Sequence, residues 1–320
     1  MSDPNPPSTD VPPPGRVFVS GASGFVGTNV VEALVSRGYR VSALVHRSPV
    51  EVDSDLIDTT TGGLFDDTAL PKAMADCDAA IHLVGIIEEK PGDGVTFDRM
   101  HVGGTRRVLD AARAAGVRRY VHMSALGTRP DAVSDYHKTK WRAEELVGES
   151  GLAYTIFRPS MIHGPRGEFM KQAADWARGK AMPYLFMPYF GFGPLGTGGS
   201  GKVQPVYVKD VANVFVDALT NAAAPGRVYN VAGPDTMDWP TMHRHISKAI
   251  RGKAKTTIGI PSWYASLLTK IVPASLLPFN RAQVQMARED NAGDITELLA
   301  DFDLRPAAFE ATVASYADQL

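Results

Sequence analysis

Short apolar runs alternate with stretches of helical period through the first half of the chain. Arg16–Val19 reads as a buried strand, and Phe25, Val26, Val30, Val31, Leu34 and Val35 then fall on one helical face. Arg40–Val45 reads as a second strand, Leu56–Asp58 as a short third, Asp67–Ala75 as a short helix and Ala79–Gly85 as a buried fourth strand. Phe97–Ala115 is predicted as a long helix closed by Gly116, since glycine takes the left-handed conformation of a helix end without steric cost. Arg118–Ser124 gives a fifth strand, Ser134–Glu149 a helix and Leu152–Phe157 a sixth strand. Strands that alternate strictly with helices predict an α/β fold with a doubly wound parallel sheet.

Past Arg158–Pro159 the pattern changes. Pro183–Gly201 is rich in Gly, Pro and aromatic residues, which predicts a loop over a pocket. Val203–Ala212 reads as strand into helix with Asp210 able to cap it, Val228–Val231 as a strand and Trp239–Arg251 as a helix. Trp263–Phe279 is apolar but interrupted by Lys270, Pro273 and Pro278, too short and too broken to cross a bilayer. It is expected to be a core helix, with an exposed face for a partner or a membrane surface as the alternative.

Composition narrows the function classes. A net charge of −2 over 320 residues, with a pI near 6.5, argues against a nucleic-acid partner or a polybasic membrane surface. Cys77 is the single cysteine, so no internal disulfide forms and a reducing cytoplasm is the expected compartment. Residues 1–14 are rich in Pro, Ser and Asp without the basic start and apolar core of a signal peptide, and are expected to be a disordered or extended tail.

Between the first strand and its helix stands Gly21-x-x-Gly24-x-x-Gly27. The first glycine suits a tight turn, the second a close backbone approach to a pyrophosphate, and the third close packing of helix on sheet. Ser23, Phe25 and Val26 lie in the same turn, whose free N–H groups would carry the phosphate charge. This is the pattern of a dinucleotide-binding βαβ unit. After the second strand come His46 and Arg47, with no acid before Glu51. An acid there would accept the ribose hydroxyls, whereas arginine suits a 2′-phosphate, so NADP(H) is expected over NAD(H). The expected organisation is a Rossmann-type domain over 15–165 and a smaller substrate or partner lobe over 166–320, with about 203–232 packing back on the first domain.

Tyr136 and Lys140 stand at i and i+4 on the helix after strand five, and Ser124 ends that strand. A cation beside a phenol lowers its pKa towards the range of useful acid–base work, and a serine at a strand's carboxyl end can hold a substrate oxygen. His82, inside an apolar strand, reads as a hydrogen-bonded core residue. No Cys/His spacing suits a metal, and none is expected.

Together these motifs resemble the short-chain dehydrogenase/reductase superfamily in its extended, atypical branch. Ser20–Gly27 resembles its cofactor loop, His82-Leu83-Val84-Gly85 its fourth-strand signature, and Arg158–Pro165 its stretch beside the nicotinamide, which nominates Pro159, Ser160 and Met161. Ser124, Tyr136 and Lys140 match the catalytic positions. Gly62-Gly63-Leu64 stands where the family carries Gly-Asp-Leu, so the acid facing adenine is missing and Leu64 remains as a cofactor neighbour. His101 replaces the usual asparagine and is a candidate proton relay. The segments His101–Thr105, His122–Gly127, Val203–Val208 and Asn280–Asn291 are similar to the branch that holds the NADPH-binding accessory subunit of respiratory complex I and its bacterial relatives, some of them linked to quinone biosynthesis.

The resemblance implies an NADP(H)-dependent oxidoreductase. The aromatic residues Tyr184, Phe186, Tyr189, Phe190 and Phe192 point to an apolar, aromatic or quinone-like substrate. Two alternatives stay open: a structural or assembly protein that keeps NADPH as a folding ligand in a respiratory or quinone-related complex, and a nucleotide-sugar epimerase or dehydratase. A cytoplasmic protein is expected, peripheral at the inner face of a membrane if 263–279 makes such a contact.

Overall fold

The computed structural model describes residues 13–272, 277, 279–287 and 289–320 of the 320-residue chain. The tail expected over 1–14 and the end of the apolar stretch 263–279 therefore lie largely or partly outside the described residues.

The first half runs β1 (Arg16–Ser20), α1 (Phe25–Ser36), β2 (Arg40–Val45), β3 (Ile57–Thr61), α2 (Ala69–Met74), β4 (Ala79–His82), α3 (Gly104–Ala114), β5 (Arg119–Met123), α4 (Asp135–Gly148) and β6 (Ala153–Pro159). The second half adds β7 (Ile162–His163), α5 (Glu168–Arg178), β8 (Met187–Gly191), β9 (Lys202–Val203), β10 (Val206–Tyr207), α6 (Val208–Asp217), β11 (Arg227–Val231), β12 (Met237–Asp238) and α7 (Trp239–Arg251). It ends with β13 (Thr257–Pro261), α8 (Ser262–Ile271), α9 (Arg281–Met286), α10 (Thr296–Asp301) and α11 (Phe309–Tyr316).

Seven strands form one sheet in the order β11-β6-β5-β4-β1-β2-β3, with every pairing parallel. The doubly wound α/β fold expected from the alternation is what the chain adopts. Strand period explains how both faces are filled. Val17 and Val19 join α1 (Val30, Leu34) and α6 (Val211, Phe215) on one face, while Phe18 meets Met74, Leu109 and Val147 on the other. A sheet covered on both faces needs strands that are apolar throughout, which is why these runs stand out in the sequence. A separate core links α5, α7 and α11 through Met170, Trp176, Met242, Ile246, Phe309 and Val313.

Several elements differ from expectation. Helix α5 is not predicted, because its buried face is mostly alanine (Ala173, Ala174, Ala177) and gives a weak apolar signal. The predicted loop Pro183–Gly201 contains β8, which pairs in parallel with β13, a partner too far along the chain to read from composition. Asp210 does not cap α6. That helix starts from Tyr207 with no side-chain cap, and Asp210 accepts the Ala307 N–H at 2.9 Å instead. The long helix predicted from Phe97 opens as a wide π-helical turn, Asp98–Gly103, before α3 begins. Finally, α8 is not a core helix: only Ser262 and Ala265 are buried, while Trp263, Tyr264, Leu267 and Ile271 are exposed.

Candidate active site

All the nominated strand ends lie along one edge of the sheet, because the strands are parallel. Gly21–Gly27 follow β1, His46 and Arg47 follow β2, Leu64 follows β3, Leu83–Gly85 follow β4, Ser124 follows β5, Pro159 ends β6 and Ser160 and Met161 follow it. The chain leaves β1 towards β2 on one side and reaches β4 on the other, which opens a crevice at the β1 and β4 carboxyl ends, where open α/β sheets bind ligands.

The glycine turn is tight. Gly21 has φ +75°, its carbonyl accepts the Gly24 N–H at 3.0 Å, and a Cβ on Gly27 would lie 1.9 Å from the Gly21 oxygen. Helix α1 thus reaches the turn only without a side chain at 27. Gly24 caps α1 with no side-chain bond, which leaves first-turn N–H groups to an anion. These features fit a dinucleotide pyrophosphate. Arg47 is exposed and makes no ion pair among the described residues, Leu64 is buried, and a Cβ on Gly63 would lie 3.6 Å from the His46 ring.

Helix α4 carries the reactive side chains. Ser134 starts it by accepting the His137 N–H at 3.2 Å. Lys140 is buried and donates from Nζ to the Met123 carbonyl at 3.0 Å, and burial draws its pKa down to about 8, opposed by Glu144 one turn on. Tyr136 lies edge-on to Phe97, His101 and His137 at 5.9, 5.3 and 5.2 Å between ring centroids. The expected lowering of its pKa by Lys140 is not what the structure gives. The ammonium is engaged by Met123, and burial pushes the phenol up to about 12. Ser124 is buried beside Thr128, 3.4 Å between the hydroxyls.

His101 enters the site from the π-helical turn. Its Nε2 accepts the Ile86 N–H at 3.2 Å, which assigns the ring proton to Nδ1 for donation to Thr139 Oγ1 at 2.9 Å. Both nitrogens are engaged, and burial followed by the Lys140 charge lowers the pKa to about 2. In this arrangement the ring ties the loop after β4 to α4. His82 is the core residue expected, fully buried, with Nδ1 2.6 Å from Ser20 Oγ.

A cavity of about 350 Å³ opens beside Tyr136. Its wall takes Pro159 from the end of β6 with Ser160 and Met161 just beyond it, Phe169 and Trp176 from α5, Pro188 and Phe190 from β8, and Trp239 from α7. Its polar lining includes Glu289 and Asn291, which the sequence reading did not assign a role. Glu289 accepts two bonds from Arg129 at 2.9 and 3.0 Å, and Asn291 Oδ1 accepts the Met161 N–H at 2.7 Å. The run 280–291 is the signal the sequence carries; its contact with Met161, just after β6, is not legible there.

Residues 17–232 match the NAD dependent epimerase/dehydratase family. The chain is 35% identical to ceramide reductase of Caulobacter vibrioides over 47% of this chain and 47% of the relative. It is 30% identical to NADH dehydrogenase [ubiquinone] 1 alpha subcomplex subunit 9, mitochondrial, of Arabidopsis thaliana, over 68% of this chain and 53% of the relative. The chain thus spans about half the length of these two relatives. In fold it is similar to the UDP-glucose 4-epimerase of Thermotoga maritima, with TM-score 0.71, 19% identity, and 95% and 98% of the two chains covered. The glycine turn on β1, the Tyr136/Lys140 helix and the match over more than half of the chain agree: the protein belongs to the NAD-dependent epimerase/dehydratase family, the extended branch of the short-chain dehydrogenase/reductases.

Proposed function

We propose that the chain is an NADP(H)-dependent oxidoreductase acting on an apolar or aromatic carbonyl or hydroxyl compound, with quinone-like and lipid-like molecules as the favoured class. The carrying observation is the apolar cavity with Tyr136 in its wall, next to the strand ends nominated for the cofactor. A bound nicotinamide would supply or accept the hydride. The chain's own groups do the rest. With a pKa near 12, Tyr136 holds its proton at neutral pH, which suits donation to a carbonyl oxygen as it takes up negative charge. Ser124 Oγ orients that oxygen. Lys140 sets the charge behind both, and a Cβ on Gly85 would lie 3.0 Å from its Nζ, so glycine at 85 leaves the ammonium uncrowded. His101 is a positioning residue for α4.

The NADP(H) preference rests on exposed Arg47, with Glu51 turned instead towards Arg166 at 3.9 Å. The likeness to a reductase named for a lipid agrees with the apolar lining.

The test titrates NADPH and NADH by fluorescence, then follows NADPH oxidation with quinones, aromatic ketones and long-chain aldehydes. Turnover that Tyr136→Phe lowers by roughly 10²–10⁴, with cofactor affinity kept, supports the proposal. Tight NADPH binding with no turnover in either protein sinks it. That result would favour the structural or assembly reading, to which the occupied His101 ring and the similarity to a complex I subunit already lend weight. Interconversion of a sugar nucleotide without net NADPH use would favour the epimerase alternative.

A further inference from the structure

Two stretches of the chain contain no acid at all. Residues 176–209 hold four Lys or Arg and residues 239–288 hold eight, with no Asp or Glu in either, in a chain with 33 basic against 35 acidic residues overall. The fold brings the two stretches together. Strand β8 of the first pairs with β13 of the second. Lys255 Nζ donates to the Tyr184 carbonyl at 2.6 Å, Ser262 Oγ to the Gly191 carbonyl at 3.1 Å, and Trp263 Nε1 to the Pro194 carbonyl at 3.0 Å.

The same stretches hold nine of the thirteen large hydrophobic residues found exposed among those described. Leu185 and Leu195 are 86% and 77% exposed. On α8, Trp263, Leu267 and Ile271 recur every fourth residue, so they share one helical face, and that face points outward while Ala265 packs inward. Lys180, Arg251, Lys253, Lys270 and Arg281 are exposed in the same stretches, and none makes an ion pair among the described residues. A soluble surface disperses such apolar residues and mixes charges of both signs; this one does neither.

We propose that this face docks on an anionic lipid bilayer, with Trp263, Leu185 and their neighbours entering the interface and the lysines and arginines meeting the headgroups. Aromatic and aliphatic side chains set among unpaired cations are the composition that such an interface stabilises. A second copy of the chain fits less well, since a two-fold contact through this face would set cations against cations. The β8–β13 pair also lines the cavity through Pro188, Phe190 and Ile260, so the docked face is continuous with the candidate active site. Resting on the oxidoreductase reading, that continuity lets a lipid-soluble substrate pass from bilayer to cavity without crossing water.

The test is co-sedimentation of the full chain with phosphatidylcholine vesicles, with and without phosphatidylglycerol, at low and physiological salt. Two double variants accompany it, Leu185→Asp with Ile271→Asp and Lys253→Gln with Lys270→Gln, all at exposed positions outside the cavity. The expected result is binding that needs phosphatidylglycerol, weakens with salt, falls by about fivefold per lysine removed and is lost in the apolar pair. Failure to bind anionic vesicles, or equal binding by all variants, would overturn the proposal. So would a dimer in solution that the aspartate pair dissociates while the wild type ignores vesicles. No cofactor or turnover enters the measurement, so its failure would leave the oxidoreductase reading standing.

Discussion

Four fully buried histidines make the folded chain sensitive to mild acid. His82, His101, His163 and His243 have pKa values lowered from 6.5 to about 3, 2, 3 and 4, each chiefly by burial. In the unfolded chain they take up protons as pH falls through about 6.5; in the folded chain they do not until far lower. The unfolded state therefore binds more protons across the window from about pH 6.5 down to about pH 4, and stability falls with pH there. At about pH 5.5 each ring contributes on the order of 1 kcal/mol of destabilisation, and the four together approach the whole stability of a marginal domain. His122, also buried and held well below its usual pKa, acts in the same direction. The assay is urea unfolding at a series of pH values between neutral and about 5.5, with the slope of unfolding free energy against pH giving the number of protons taken up. Four or more are expected. His243 lies among Phe169, Trp176 and Trp239 with neither ring nitrogen bonded among the described residues, so His243→Leu should remove one proton from the slope. A slope of about one proton in the wild type, or an unchanged slope in the variant, would refute the reasoning.

Further outcomes are expected at the candidate site. Gly27→Ala would press a methyl against the Gly21 carbonyl, and NADPH titration should show an affinity loss of about tenfold or more as α1 is displaced from the turn. Arg47→Ser should weaken NADPH binding by about tenfold and leave NADH unchanged; equal loss for both would remove the argument for a 2′-phosphate contact. If Lys140 acts as an ammonium, kcat/KM should fall as pH rises past about 8, where the group loses its proton, while Tyr136 stays protonated to about 12. A profile flat to about pH 10 would count against that role.

The sequence by itself determined the doubly wound sheet and the glycine turn. Strands buried on both faces must be apolar throughout, and Gly27 sits where no side chain fits, so both features are local and leave a local mark. The order of strand ends then nominated Ser124, Tyr136 and Lys140 together, since parallel strands deliver their carboxyl ends to one edge. What the tertiary structure decided is whatever depends on partners distant in the chain. The β8–β13 pairing turned an apparent loop into a cavity wall, and Glu289 and Asn291 became site residues only by reaching Arg129 and Met161. Charge states also waited on the fold. Spacing alone placed Lys140 near Tyr136, but desolvation, which no spacing reveals, raises the phenol's pKa and lowers the ammonium's. The exposed face of α8 is the same kind of case: its apolar pattern is equally that of a core helix, and only the fold shows Trp263, Leu267 and Ile271 largely exposed among the described residues.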